Sequence, residues 1–273
     1  MSVYQFTADD ADIVLRASRC HAPREFRVHK TILSITSPVF KDMFDIPQPV
    51  SSATTPEATT PVIDVDDTPE DLENFLRIIY PFGPPTLSTL DAILHVLAIL
   101  DKYQVHSALL RPLRSQLVSP EFLKNDPVRV YSIACCWKFK EEADLAAPHA
   151  STRDVLDSIS EEDIRRMTSM EYRRILILGK ELRSIGQNHI RSVSVVCSGC
   201  SNYKKFYSAF RQRLLDDFSI NYKTFYDYGQ CIIRCFEIAW ETEQAVGAAG
   251  CAGRDSHLGR FIHSLATRLS GQF

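Results

Sequence analysis

Residues 26–44, Phe-Arg-Val-His-Lys-Thr-Ile-Leu-Ser-Ile-Thr-Ser-Pro-Val-Phe-Lys-Asp-Met-Phe, constrain the fold more than any other stretch of the chain. A strand over Glu25–Val28 runs into apolar positions Ile32, Leu33, Ile35, Val39, Phe40, Met43 and Phe44 at helical spacing. Pro38 interrupts that rhythm. Proline fits the first turn of a helix, so the pattern predicts a second helix that begins at Pro38 with Ser37 as its cap. A strand feeding a buried helix pair offers packing surface. It reads as an interaction module, not an active site.

Further elements follow from the same periodicities. Asp12–Leu15 and Val62–Val65 read as strands. Between Asp45 and Pro61 the chain is rich in Ser, Thr and Pro and poor in apolar residues, the composition of an exposed loop. Thr68-Pro69-Glu70-Asp71 predicts a capped helix start, with Asp71 reaching back to the cap. Leu72, Phe75, Leu76 and Ile79 then form an apolar stripe at i, i+3, i+4, i+7. A second cap at Ser88-Thr89-Leu90-Asp91 opens a helix over Leu90–Leu100 that is apolar nearly all round and therefore central. Another helix is expected over Val105–Leu117.

Together these segments resemble the BTB/POZ family, whose members carry a D-I-V-L-type strand, then F-x-V-H-K, then an S-P-V-F-x-x-M-F helix. The chain has Asp12-Ile13-Val14-Leu15, Phe26-Arg27-Val28-His29-Lys30 and Ser37-Pro38-Val39-Phe40-Lys41-Asp42-Met43-Phe44. The likeness continues through Val62–Val65, Leu72–Tyr80 and Leu100-Asp101-Lys102-Tyr103. The resemblance implies an α+β fold: a BTB/POZ domain over 1–118, a small sheet capped by helices, followed by a mostly α-helical extension over 119–190 and a helical tail over 191–273. It implies a non-catalytic protein-interaction role and a homodimer. In that dimer Asp12 and Lys30 would form a charged pocket at a seam that also holds Ile32, Leu33, Val39 and Phe40. The whole cast, tail included, is similar to BTB-domain proteins found in fungi.

Signatures of catalysis are missing. The 10 glycines in 273 residues fall well below the usual ~7%, and none sits in a phosphate-binding or nucleophile-elbow arrangement. Cys135-Cys136 beside Trp137 reads as buried thiols on an apolar helix face. The start of the chain carries Asp9, Asp10 and Asp12 and no apolar h-region, which predicts no secretion signal and a location in cytoplasm or nucleus. The longest apolar run, Ala92–Leu100, is interrupted by His95 and falls short of the ~20 residues a membrane span needs. Without a secretion signal, the 8 cysteines read as thiols or metal ligands before disulfides.

Beyond residue 118 the pattern is helical. Short helices are expected over 127–139, 141–147, 153–159, 161–167 and 171–185, broken by Pro148 and polar turns. Cys197-Ser198-Gly199-Cys200 is a knuckle, two thiolates able to reach one metal across a tight turn. Two complements compete downstream: Cys231 with Cys235, and Cys251 with His257. The first pair lies four apart on a helix bearing Tyr228, Ile232, Phe236, Ile238, Ala239 and Trp240, where core packing explains it. The second sits in a Gly/Ala-rich turn before the last helix, Ser256–Leu269. Tails of the resembling fungal proteins look as though they carry two C-x-x-C pairs. Here Arg254 stands three after Cys251, so His257 would have to complete the set. The expected site is one structural zinc held by Cys197, Cys200, Cys251 and His257.

Charge is uneven. Residues 1–118 hold 10 Lys+Arg against 15 Asp+Glu, while Arg165–Arg213 holds 11 basic and 2 acidic residues. Interleaved with Tyr203, Phe206, Tyr207 and Phe210, that stripe could follow a phosphate backbone, or it could be a solvated helix face. The reading adopted is a scaffold that brings protein partners together. Its alternatives are a transcriptional regulator that touches nucleic acid through the stripe, and a substrate adaptor of a cullin-type ubiquitin ligase. The latter lacks the usual apolar-x-Glu motif after Met43-Phe44, since Glu57 is the only Glu between Met43 and Val62 and Thr55 stands two before it.

Overall fold

The computed structural model describes residues 6–19, 23–46, 60–151, 155–192, 201–221, 225, 228–246 and 254–270. Two compact units divide the chain, Met1–Phe122 and Leu123–Phe273.

In the first unit, strands β1 (Ile13–Ala17), β2 (Arg24–Val28) and β3 (Val62–Val65) form a sheet in the order β2-β1-β3. β1 pairs antiparallel with β2 and parallel with β3, Leu15 lying opposite Phe26 on one side and Ile63 on the other. Helices α1 (Lys30–Thr36) and α2 (Pro38–Asp45) make the crossover between β2 and β3. α3 (Pro69–Ile79) and α4 (Leu90–Lys102) follow and pack on each other. The central position expected for the apolar helix is observed, with Ile93, Val96, Leu97 and Leu100 of α4 all buried.

The caps fall where the sequence puts them, with one difference in detail. Ser37 caps α2, its hydroxyl accepting from the Phe40 N–H at 3.2 Å, and Thr89 caps α4 through the Ala92 N–H at 3.1 Å. Thr68 caps α3, but Asp71 does not accept the Thr68 backbone N–H. Its carboxylate takes the Thr68 hydroxyl at 2.7 Å, and that hydroxyl accepts from the Asp71 N–H. The helix expected over 105–117 is split into a 3₁₀ turn, Ser107–Leu110, and α5, Arg111–Leu117. Pro112, in the first turn of α5, has no N–H to carry a continuous ladder across that point. α6 (Pro120–Asn125) spans the division between the two units.

The second unit is helical among its described residues: α7 (Pro127–Cys136), α8 (Lys140–Ser151), α9 (Val155–Ser158), α10 (Glu161–Arg166), α11 (Ser169–Ser192), α12 (Ser201–Asn221), α13 (Tyr228–Val246) and α14 (Arg254–Ser270). Packing partners run in series, α7 on α8 and α10, α8 on α11, α11 on α12 and α14, α13 on α12 and α14. Pro148 does not break its helix. It sits near the end of α8, where the lost ladder bond leaves one acceptor, the carbonyl of solvent-exposed Asp144. The expected division at 190/191 falls inside α11. Leu182 and Ile190 of that helix share one buried cluster with Phe210 and Phe218 of α12, Ile238 of α13 and Phe261 of α14. No helix of the described residues is long and apolar enough to cross a membrane.

Candidate interaction surface

At its N-terminus, α1 is held by side chains from outside the helix. The Lys30 N–H donates to Asp12 Oδ1 at 2.8 Å, so the Asp12 carboxylate takes up a backbone donor that the cap residue His29 leaves unsatisfied. The resemblance paired Asp12 with the Lys30 side chain; within the chain it is the Lys30 backbone that Asp12 holds. His29 is structural. Its N–H donates to Tyr80 Oη at 2.8 Å, and its ring lies against the same hydroxyl (3.1 Å) and Asp10 (3.3 Å).

The junction between α1 and α2 is locked from the other side. Besides capping α2, the Ser37 hydroxyl donates to the Tyr103 carbonyl at 2.6 Å. Tyr103 Oη donates to Asp67 Oδ2 at 2.5 Å, and Lys102 Nζ reaches both Asp67 oxygens at 2.9 Å. Burial, then the bond to the Asp67 carboxylate, raises the Tyr103 phenol far above its ordinary range, which favours the protonated form that donates. Asp67 is itself buried, which makes its two partners necessary to offset lost hydration. Over this network Phe40 stacks on Tyr103 at 4.5 Å and lies 6.0 Å from Phe75.

These contacts sort the expected seam residues into two sets. Leu33 and Phe40 are fully buried in the core of their own chain. Ile32 and Val39 are half-buried, Asp12 is exposed, and Ile35 is 69% exposed. Only the second set is available to a partner. Ile35, three after Ile32 on the same helix, lies within the Ile32–Phe40 stretch expected at the seam, although it was not named individually there. The N-terminal segment packs beside this region. Phe6 is buried edge-to-face on Phe26 (6.0 Å) and Tyr80 (5.4 Å), and Thr7 bridges Arg27 at the outer edge of β2.

Residues 5–113 match the BTB/POZ domain family. That stretch is a BTB/POZ domain. The match agrees with the sheet, the α1–α2 crossover and the α3–α4 pair described above, and BTB/POZ is a family of protein-interaction domains. No curated protein shows significant similarity to the chain.

The remaining expected features lie outside the BTB/POZ domain. Cys197, Cys200 and Cys251 fall outside the described residues, as does the side chain of His257 on α14. No group of three or more His, Cys, Asp or Glu among the described residues is placed to hold a metal. The competing complement is committed elsewhere: Cys231 and Cys235 are fully buried in the α11–α14 core. A hydrogen bond with Cys231 and then burial push the Cys235 thiol far up. Cys135 is buried, its thiol pushed up to about 11 by burial. Cys136 is exposed, contrary to the buried reading of that pair, because α7 turns it away from the face that packs on α8 and α10.

Several members of the basic stripe are paired. Arg165 binds Glu161 (3.3 Å), Arg166 binds Asp163 (3.0 Å) and Glu162, and Arg174 binds Asp144 (2.7 Å). All four acids precede the stripe in sequence, which is why counting charge within it overstated the excess. Of its interleaved aromatic residues, Phe206, Tyr207 and Phe210 are buried in the core and offer no face on which a base could stack, while the side chain of Tyr203 falls outside the described residues.

Proposed function

We propose that the chain is a non-enzymatic scaffold whose BTB/POZ domain forms a homodimer through the outer face of α1 and α2. The observation that carries this reading is Ile35, 69% exposed between half-buried Ile32 and Val39 on a helix pair whose opposite side is core. A hydrophobic side chain that exposed, continuous with two others, gains by being covered. Asp12 rims the same face with charge. Light scattering at about 30 μM should find a dimer, since a specific interface holds well below that concentration. Ile35→Asp should give a folded monomer, because the side chain is mostly exposed in its own chain. A dimer that survives Ile35→Asp removes α1 from the interface.

The tail is proposed to be closed by one structural zinc on Cys197, Cys200, Cys251 and His257. What supports it is elimination: Cys231 and Cys235 are occupied in packing, which leaves Cys251 and His257 as the complement to the knuckle. Three thiolates and an imidazole complete a tetrahedral shell without water, the composition of a structural site. Elemental analysis should find about one zinc per chain, lost in Cys200→Ser and Cys251→Ser alike. Zinc retained in Cys251→Ser would exclude this ligand set.

A further inference from the structure

α13 has two faces of opposite use. Cys231, Cys235, Ile238, Ala239 and Thr242 are buried against α12 and α14. On the other side Ile233, Phe236 and Trp240 are 53%, 49% and 65% exposed. Their spacing of i, i+3, i+7 sets them in one row along the helix. Single exposed apolar residues are ordinary, but a row containing Phe and Trp is not. The sequence pattern had placed Phe236 and Trp240 with the packed residues of this helix; the structure turns both outward.

The row is bordered by acids. Glu237 and Glu241 are exposed on the same face. Arg234, the basic residue beside them, is already held by two carboxylates: Asp217, through Nε at 3.0 Å and Nη2 at 2.5 Å, and Glu237 at 2.9 Å. The face is therefore apolar along its centre and negative along its edge. A cationic surface would gain.

We propose that this face of α13 is a docking site for a basic amphipathic helix of a partner protein. The i, i+3, i+7 anchors meet the partner's apolar stripe, and its Lys or Arg side chains reach Glu237 and Glu241. Anchors of this spacing are the recurring means by which one helix is read by another surface, and Trp is the residue type most enriched among energetic centres of interfaces. The site lies in the second unit and is independent of the α1 dimer face, so either proposal stands if the other fails.

The test uses the full chain and two synthetic helical peptides of one apolar pattern, the first with Lys and the second with Glu at every polar position. At about 150 mM salt, where surface charges act only over ~8 Å, the Lys peptide should bind and shift the emission of Trp240 to the blue. Trp240→Phe should keep most of the binding and lose the shift, which places the peptide on this residue. Phe236→Ser with Trp240→Ser should weaken binding at least tenfold. Ile164→Ser, which removes an exposed apolar side chain from α10, should not. Glu241→Lys with Gln244→Lys should move preference toward the Glu peptide. Equal binding of both peptides, or no effect of the Phe236/Trp240 change while circular dichroism shows the fold intact, overturns the proposal. So does a dimer that Phe236→Ser with Trp240→Ser dissolves and Ile35→Asp does not, since a second copy would then be the occupant.

Discussion

Phe40→Ala should cost about 3–5 kcal/mol and leave the BTB/POZ domain largely unfolded. The ring is fully buried and stacked on Tyr103, with Phe75 and Phe44 each 6.0 Å away. Its neighbours cannot close the void. Tyr103 is tied at its hydroxyl by Asp67 and at its carbonyl by Ser37, so moving it toward the gap would break two buried hydrogen bonds. Against a typical total of about 5–15 kcal/mol, a loss of this size removes most of the stability of a domain. Both tryptophans of the chain, Trp137 and Trp240, lie in the second unit. Urea unfolding followed by circular dichroism and by tryptophan fluorescence therefore separates the two units. The Phe40→Ala change should appear in the circular dichroism and leave the fluorescence transition in place. Phe40→Leu, which keeps most of the volume but loses the stacking on Tyr103, should cost less than Phe40→Ala. A Phe40→Ala variant as stable as the parent would mean that α2 does not pack as described.

Local signals survived translation into structure where a single short segment decides the outcome. Pro38 and Ser37 settle the start of α2 because cap, proline and first turn lie within four residues. The strands and the apolar stripe of α3 were legible for the same reason, and their order was enough to suggest the BTB/POZ fold that the family match supports. What was not legible depends on which residues meet. Asp67 and Tyr103 are 36 apart in the chain, and nothing in either neighbourhood announces the pairing. Which side of α1 is seam and which is core was likewise hidden. Leu33 and Ile35 are both apolar, and only the packed structure shows one at 0% and the other at 69% exposure. On α13 the apolar residues surround the helix, so periodicity gave no direction for Trp240.

Gly186→Ala should destabilise the second unit, while the same substitution at Gly259 should stabilise it. Both glycines lie in helices, α11 and α14, where alanine is favoured over glycine by about 0.8–1.0 kcal/mol. Gly259 has nothing within 4 Å of where a Cβ would stand, so it should collect that gain. At Gly186 the new carbon would lie 2.1 Å from Cζ of Phe218 and within 3 Å of both Cε atoms. Phe218 is fully buried and packs its ring on Phe225 at 5.1 Å, so it has no free space into which to turn. The helices α11 and α12 would have to separate. Overpacking of that kind costs about 1–3 kcal/mol, occasionally more, and with the propensity gain set against it a net loss of about 1 kcal/mol remains for Gly186→Ala. Phe218→Leu, combined with Gly186→Ala, should recover part of the loss, a coupling that a double-mutant cycle reads directly. Tryptophan fluorescence in urea reports the unit concerned. Equal, stabilising shifts at both glycines would show that α11 does not approach α12 through Gly186.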